Sequence, residues 1–277
     1  MFIERKTGKD KSMEDFDEFL TGVKLYGNDF SLEEIRQWYE DEKEGYAGLL
    51  EKTTQYCYSY HALNVIHGYR YLPDRIFRRV LSVGGAYGDE LLPVYDKIEE
   101  IYILEPSERL YRSFLNNKPL NYIKPNIEGK LSFPDNYFEL ITCFGVLHHI
   151  PNVSYVMSEI YRVLQKGGFL LVREPIVSMG DWRQHRKGLT KRERGIPFEI
   201  MKSIILKCGF TIQKCTPCVF PFIAKLNFLV RAPFNSKIIV KIDATLSRLF
   251  KFNQKYHRVT IFEKIGPWAC FWVLKKE

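Results

Sequence analysis

The chain has 277 residues, 45% of them hydrophobic and 27% charged, the proportions of a globular protein able to bury a core. Lys and Arg outnumber Asp and Glu by 41 to 33, a formal net charge of +8 that suits an anionic partner or a plainly solvated basic surface. No run of about 18 apolar residues occurs, which excludes a transmembrane helix.

Residues 1–75 read as a helical N-terminal extension. "SLEEIRQWYEDEKEGYAGLLEK" opens on Ser31 with Glu34 three residues later, a capping box. The first twenty residues hold no apolar stretch of the signal-peptide kind, so a cytoplasmic location is expected. Six cysteines without framework spacing read as reduced thiols there, "CTPC" at Cys215–Cys218 included.

From residue 76 the texture alternates. "RVLSVGG", "IEEIYILEP", "FELITCFGVL" and "GGFLLVREP" are short apolar runs that read as strands, each closed by a turn or polar residue. "GDELL", "ERLYRSFLNN" and "VSYVMSEIYRVLQK" between them read as helices. "FEIMKSIILK" adds a helix, "FTIQKC" a strand, and "WACFWVLKK" a closing strand. Strands alternating with helices, and near-continuously apolar, predict an α/β fold with a mostly parallel sheet covered on both faces. Residues 219–258 form an insertion rich in aromatics, with eight Lys or Arg against the single Asp243.

Ligands of open α/β sheets bind at the carboxyl ends of strands. "SVGGAYGDE" supplies Gly84, Gly85 and Gly88 for a tight turn, and Glu105 ends the next strand, placed to accept hydrogen bonds from a ribose. A dinucleotide fingerprint fails from Gly84, because Ala86 and Asp89 occupy its other glycine positions. An acid at Asp89 also opposes a pyrophosphate, so a nucleoside ligand without phosphates fits better.

These residues, with "LSFPDNYFELITCFGVLHHIPN" and "YRVLQKGGFLLVREP", resemble the class I S-adenosylmethionine-dependent methyltransferases, in particular the group acting on small molecules. The resemblance spans roughly residues 45–215 and the final strand. That family's first motif is an acid, any residue, then Gly-x-Gly-x-Gly; here Ser82 stands for the acid and Ala86 for the middle glycine. The resemblance implies a Rossmann-like fold with a seven-stranded sheet in residues 76–277, the N-terminal extension serving as cofactor cover. It implies S-adenosyl-L-methionine as cofactor, with Gly84, Gly85, Ala86 and Gly88 under its methionine part and Glu105 on the ribose. Pro106 would flank the adenine, Glu128 would contact it, and Cys143 and Phe144 would line the sulfonium.

His148 and His149 follow the fourth strand of the motif, in the loop facing the transferred methyl. Three readings stay open: a catalytic base, natural for histidine near neutral pH; a packing role; and a metal site, for which further ligands at suitable spacing are missing, so no metal is expected. Arg173 and Glu174 end the next strand beside the site, Glu174 as a further catalytic candidate. Trp182 and Arg183 in the following basic loop are candidate acceptor contacts, an aromatic platform and a cation. That loop resembles those of bacterial methyltransferases of glycan and polysaccharide synthesis. The expected acceptor is a hydroxyl of a sugar, sugar nucleotide or glycan intermediate, anionic or lipid-linked. Another small molecule or lipid methylated at O, N or C is an alternative, as is a cofactor-binding protein without transferase activity. The 219–258 insertion suits a pocket cover or a segment resting on the inner face of a membrane; no nucleic-acid module is present.

Overall fold

The computed structural model describes residues 11–50, 56–182, 184–226 and 229–277. In chain order its strands are β1 (Phe77–Val83), β2 (Ile98–Leu104), β3 (Phe114–Leu115), β4 (Lys118–Ile123), β5 (Phe138–Phe144), β6 (Leu164–Pro175), β7 (Phe210–Cys218) and β8 (Ala269–Lys276). They form one mixed sheet in the order β3-β4-β2-β1-β5-β6-β8-β7. The pairs β4–β2, β2–β1, β1–β5 and β5–β6 are parallel, while β8 runs antiparallel between β6 and β7. The carboxyl ends of β1, β2, β5 and β6 therefore meet along one edge, where the site lies.

The helices are α1 (Lys11–Thr21), α2 (Leu32–Glu42), α3 (Gly45–Leu50), α4 (His61–His67), α5 (Val153–Val163), α6 (Phe198–Lys207), α7 (Pro221–Lys225), α8 (Lys237–Leu249) and α9 (Ile261–Lys264). Side chains of a strand alternate between its faces, so β8 serves two cores. Trp272 and Leu274 join Met157, Ile160 and Met201 on the α5–α6 face, and Phe271 and Val273 join Leu63, Leu171 and Val240 on the α4–α8 face.

The sheet has eight strands rather than seven, because β3 folds back on β4 as a short antiparallel hairpin. "ERLYRSFLNN" is not a helix: only a 3₁₀ turn at Glu108–Leu110 forms before β3. Tertiary contacts override its helical pattern, since Tyr111 stacks on Tyr122, Arg112 pairs with Asp89, and Asn116 adopts φ +51° at the hairpin turn. "GDELL" continues as a 3₁₀ helix over Asp89–Lys97 with Pro93 inside, which lacks an amide donor. The "VSYVMSEIYRVLQK" helix ends at Val163, and the strand starts at once at Leu164.

Ahead of β1 the capping box forms as read, Glu34 N–H donating to Ser31 Oγ and Ser31 N–H to Glu34 Oε2. The residues before β1 are fastened to the loop after β5. Trp38 Nε1 donates to His149 O at 2.7 Å, and its ring packs with Tyr26 and Phe30. Arg194, fully buried, donates to Tyr26 O, His148 O, Ile150 O and Pro151 O at 2.8–3.2 Å. In the insertion, α8 buries Val240, Asp243 and Ser247. Asp243 accepts from Val219 N and Phe220 N, and burial pushes its carboxyl up to about 6.

Arg194→Met removes the side-chain donor from the Tyr26 and Ile150 carbonyls and leaves those of His148 and Pro151 with only their backbone donors, Arg194 N and Val153 N. It is expected to cost about 3 kcal/mol, read as a lower urea midpoint and an altered Trp38 fluorescence.

Candidate active site

The loop after β1 is shaped by crowding. Gly84 at φ +62° and Gly88 at φ +75° are left-handed, and a Cβ on Gly84 would come within 2.7 Å of the Val146 methyls. A Cβ on Gly85 would collide with Ser82 Oγ. Ala86 holds φ +46°, a region alanine seldom visits. Ser82 donates to Glu90, a carboxyl that burial pushes up to about 7. Glu105 reaches back from the end of β2 and accepts from Ala86 N at 3.1 Å and Ser107 N at 3.2 Å. Burial raises it to about 7 in spite of those bonds. Its carboxyl thus joins the ends of two adjacent strands.

At the end of β6, Glu174 is fully buried. It accepts from Val146 N and Leu147 N, both at 2.9 Å, from His148 N at 3.3 Å, and from His148 Nδ1 at 2.7 Å. Burial opposes its charge, but His148 and these amides outweigh burial and hold it below the ordinary carboxylate range. Nδ1 of His148 is fixed as a donor, which leaves Nε2 as acceptor, 3.8 Å from Glu193 Oε1. Burial, then the charge of His149, keeps His148 below the ordinary histidine value. His149 goes the other way: burial is outweighed by its Nδ1 hydrogen bond to Glu42 at 2.8 Å and by the nearby carboxylates. Thr190 Oγ1 donates to Glu42 at 2.6 Å, and Thr190 N donates to Glu193 at 2.9 Å. Two touching imidazoles, ring centroids 4.1 Å apart, are therefore tuned apart, one towards neutral and one towards charged. His148, His149 and Glu193 offer ligand atoms within 4.8 Å of one another, the one such grouping among the described residues. Hydrogen bonds to Glu174 and Glu42 already account for both Nδ1 atoms.

Three clefts run in a row along the strand ends. The first, about 860 Å³, is largely apolar, with Leu104, Pro106, Ile127, Leu131 and Val146 in its walls. The second, about 1390 Å³, holds the glycine loop, Glu105, Tyr46, Tyr58 and Phe144. The third, about 980 Å³, is walled by Val177, Met179, Leu189 and Trp268. His149 stands between the first and second, and His148, with Tyr60, Gly145 and Arg173, between the second and third.

Of the residues singled out from sequence, Gly84, Gly85, Ala86, Glu105, Pro106, Phe144, His148, His149 and Arg173 line the second cleft, and Glu174 the third. Arg173 donates to Asn64 Oδ1 at 2.9 Å and lies 3.9 Å over the Tyr60 ring. The others lie elsewhere. Cys143 is in the core, one residue short of the cleft. Gly88 packs on Ile103 behind the loop. Glu128 is exposed, with its neighbours Ile127 and Gly129 facing the first cleft instead. Trp182 is buried against Phe16 and Tyr26, far from an acceptor platform, because those N-terminal rings offer it an aromatic seat. Arg183 lies outside the described residues. Sequence reasoning missed Glu42, Thr190 and Glu193. Nothing local marks a late-helix acid such as Glu42, whose partner His149 is 107 residues away.

Residues 81–172 match the family model described as a methyltransferase domain. Probable polyketide synthase 41 of Dictyostelium discoideum is 30% identical over 130 residues, 38% of this chain and 5% of that protein. The ubiquinone/menaquinone biosynthesis C-methyltransferase of Erwinia tasmaniensis is 32% identical over 107 residues, 35% of this chain and 42% of that one. The chain thus spans less than half the length of these curated relatives. Among solved structures, an S-adenosylmethionine-dependent methyltransferase from Archaeoglobus fulgidus superposes with a TM-score of 0.51 at 16% identity, covering 95% of this chain and 99% of its own. The cyclase SpnF superposes at 0.55 with 15% identity, covering 89% and 97%. These likenesses are of fold.

Because Glu42 is held below its ordinary 4.5 and His149 above its ordinary 6.5, the pair stabilises the fold once pH passes the carboxyl value. That contribution is lost as pH rises through the folded value of His149. Glu42→Gln is expected to lower the His149 titration seen by NMR. It should also destabilise the protein most near about pH 5–6 and much less by about pH 9.

Proposed function

We propose that this chain, class I methyltransferase in fold with a methyltransferase domain over residues 81–172, transfers a methyl group from S-adenosylmethionine to a hydroxyl of a small acceptor. The observation that carries this reading is the Glu174–His148 relay, which presents a neutral imidazole Nε2 at the junction of the second and third clefts. When bound, S-adenosylmethionine supplies a methyl group on a sulfonium for in-line displacement. The fit of the residues to that group rests on the glycine loop, whose Gly84, Gly85 and Ala86 border the second cleft, and on Glu105 at the end of β2, which lines the same cleft. The loop from Gly84 to Ala86 would hold the methionine part, Glu105 the ribose hydroxyls, and the apolar first cleft the adenine. Residues ahead of β1 cover this end through Trp38, Tyr39 and Glu42.

His148 then accepts the acceptor's hydroxyl proton at Nε2. Its Nδ1–H stays on Glu174, whose buried charge stabilises the imidazolium that forms. His149, already biased towards the charged form, is a poorer base and acts as an anchor between Glu42 and the loop. Arg173, beside Tyr60 at the mouth of the third cleft, suits an acceptor carrying a carboxylate or phosphate. We infer a sugar, sugar nucleotide or glycan intermediate, reached in the cytoplasm or at the membrane's inner face. The largely apolar third cleft favours a second reading, a lipid-like acceptor methylated at oxygen or carbon; the Erwinia relative is named a C-methyltransferase of ubiquinone/menaquinone biosynthesis.

Calorimetry should show S-adenosylmethionine binding, weakened about 10- to 100-fold by Glu105→Ala; binding of NAD instead would overturn the reading. His148→Ala should lower kcat by about 10²–10⁴ with donor affinity kept. Since His148 sits below 6.5, the acid limb of the rate profile should fall below that pH. A fully active His148→Ala enzyme would remove the base.

A further inference from the structure

More than half of the large apolar side chains exposed among the described residues lie between Phe222 and Phe262. They are ordered. On α8, Ile238, Ile242 and Leu249 are 73%, 48% and 63% exposed and fall on one stripe, opposite the buried Val240, Asp243 and Ser247. Lys237, Lys241 and Arg248 follow the same helical spacing and line one edge of that stripe. The turn after α8 carries a second set, with Phe252, Val259, Ile261 and Phe262 63–84% exposed.

That turn is built from its polar side. Asn253 Nδ2 donates to Phe262 O, Glu263 O and Ile265 O at 2.6–3.0 Å. The Arg258 guanidinium donates to Asn253 O, Gly266 O and Pro267 O at 2.9–3.0 Å. Thr260 and Glu263 close a capping box. The polar groups are spent inside and the apolar side chains are held outward. Scattered exposed apolar residues need no explanation, but an exposed apolar stripe on one helix face, followed in the chain by a scaffolded apolar turn, marks a contact surface.

The charges identify what it contacts. Lysines are depleted in protein–protein interfaces, yet the same stretch of chain carries Lys237, Lys241, Lys251, Lys255 and Lys264. The insertion's one acid, Asp243, is buried, and Glu263 is paired with Lys255. We propose that α8 and the turn from Phe250 to Ile265 dock on an anionic lipid bilayer. The apolar side chains enter the boundary between headgroups and acyl chains, and Lys237, Lys241, Lys251 and Lys264 extend to the lipid phosphates. This inference stands on the surface alone and holds whatever reaction the clefts carry out.

Co-sedimentation of the full chain with phosphatidylcholine vesicles, with and without phosphatidylglycerol, tests it. Binding should appear only with the anionic lipid and be released by high salt. Lys237→Gln with Lys241→Gln should weaken it about thirtyfold, each cation near such a surface counting for about fivefold. Ile238→Ser with Phe262→Ser should abolish it, and circular dichroism should show both double variants folded. Absence of wild-type binding to anionic vesicles, or unchanged binding by both variants, would overturn the proposal. So would a wild-type dimer that the Ile238→Ser and Phe262→Ser variant splits without any vesicle binding, which would make the face a contact between copies.

Discussion

One buried carboxylate governs the site. Glu174 has no contact with water, and a charge in that position is tolerable only if its oxygens are fully hydrogen-bonded. The three amides of Val146, Leu147 and His148 supply those bonds, and they do so only if the chain turns sharply at the end of β5. The turn in turn fixes the carbonyls of His148, Ile150 and Pro151, which Arg194 requires, and that of His149, which Trp38 requires. The attachment of the N-terminal helices and the aim of the His148 ring follow from the same anion.

The two histidines show how position alone divides labour between identical side chains. Both are flanked by a carboxylate on Nδ1, yet burial and the neighbour's charge win at His148, while Glu42 wins at His149. A pair with equal values would hand a proton back and forth. Separated values give one group free to take a proton and one that holds its own.

The sheet could be read from sequence because buried parallel strands leave long apolar runs, and these mark β1, β2, β5 and β6 with little ambiguity. The glycine loop and Glu105 were legible for a related reason: both depend on local backbone shape and on the spacing between consecutive strands. The failures share an opposite cause. "ERLYRSFLNN" has helical periodicity, but Tyr122 and Asp89, from other elements, decide its shape. Trp182 was read from the chemistry of its own loop, whereas its place is set by Phe16 and Tyr26 some 160 residues earlier. Glu42, Thr190 and Glu193 converge on His149 from two distant segments, and no spacing rule predicts a meeting of that kind. Cys143 and Phe144 are consecutive, and strand alternation turns the first into the core and leaves the second for the cleft.

Ser82 and Glu90 carry a consequence for how such a chain can change over generations. The resemblance places an acid at the end of β1, and here the carboxyl arrives instead from Glu90, across a glycine at 85 that leaves no room for a side chain. An ancestor with the acid at position 82 could not acquire Glu90 first without two buried carboxyls contesting one space, nor lose the first acid without emptying it. The three positions are therefore sterically coupled and are expected to change together. Lineages should carry one arrangement or the other, with mixed forms rare.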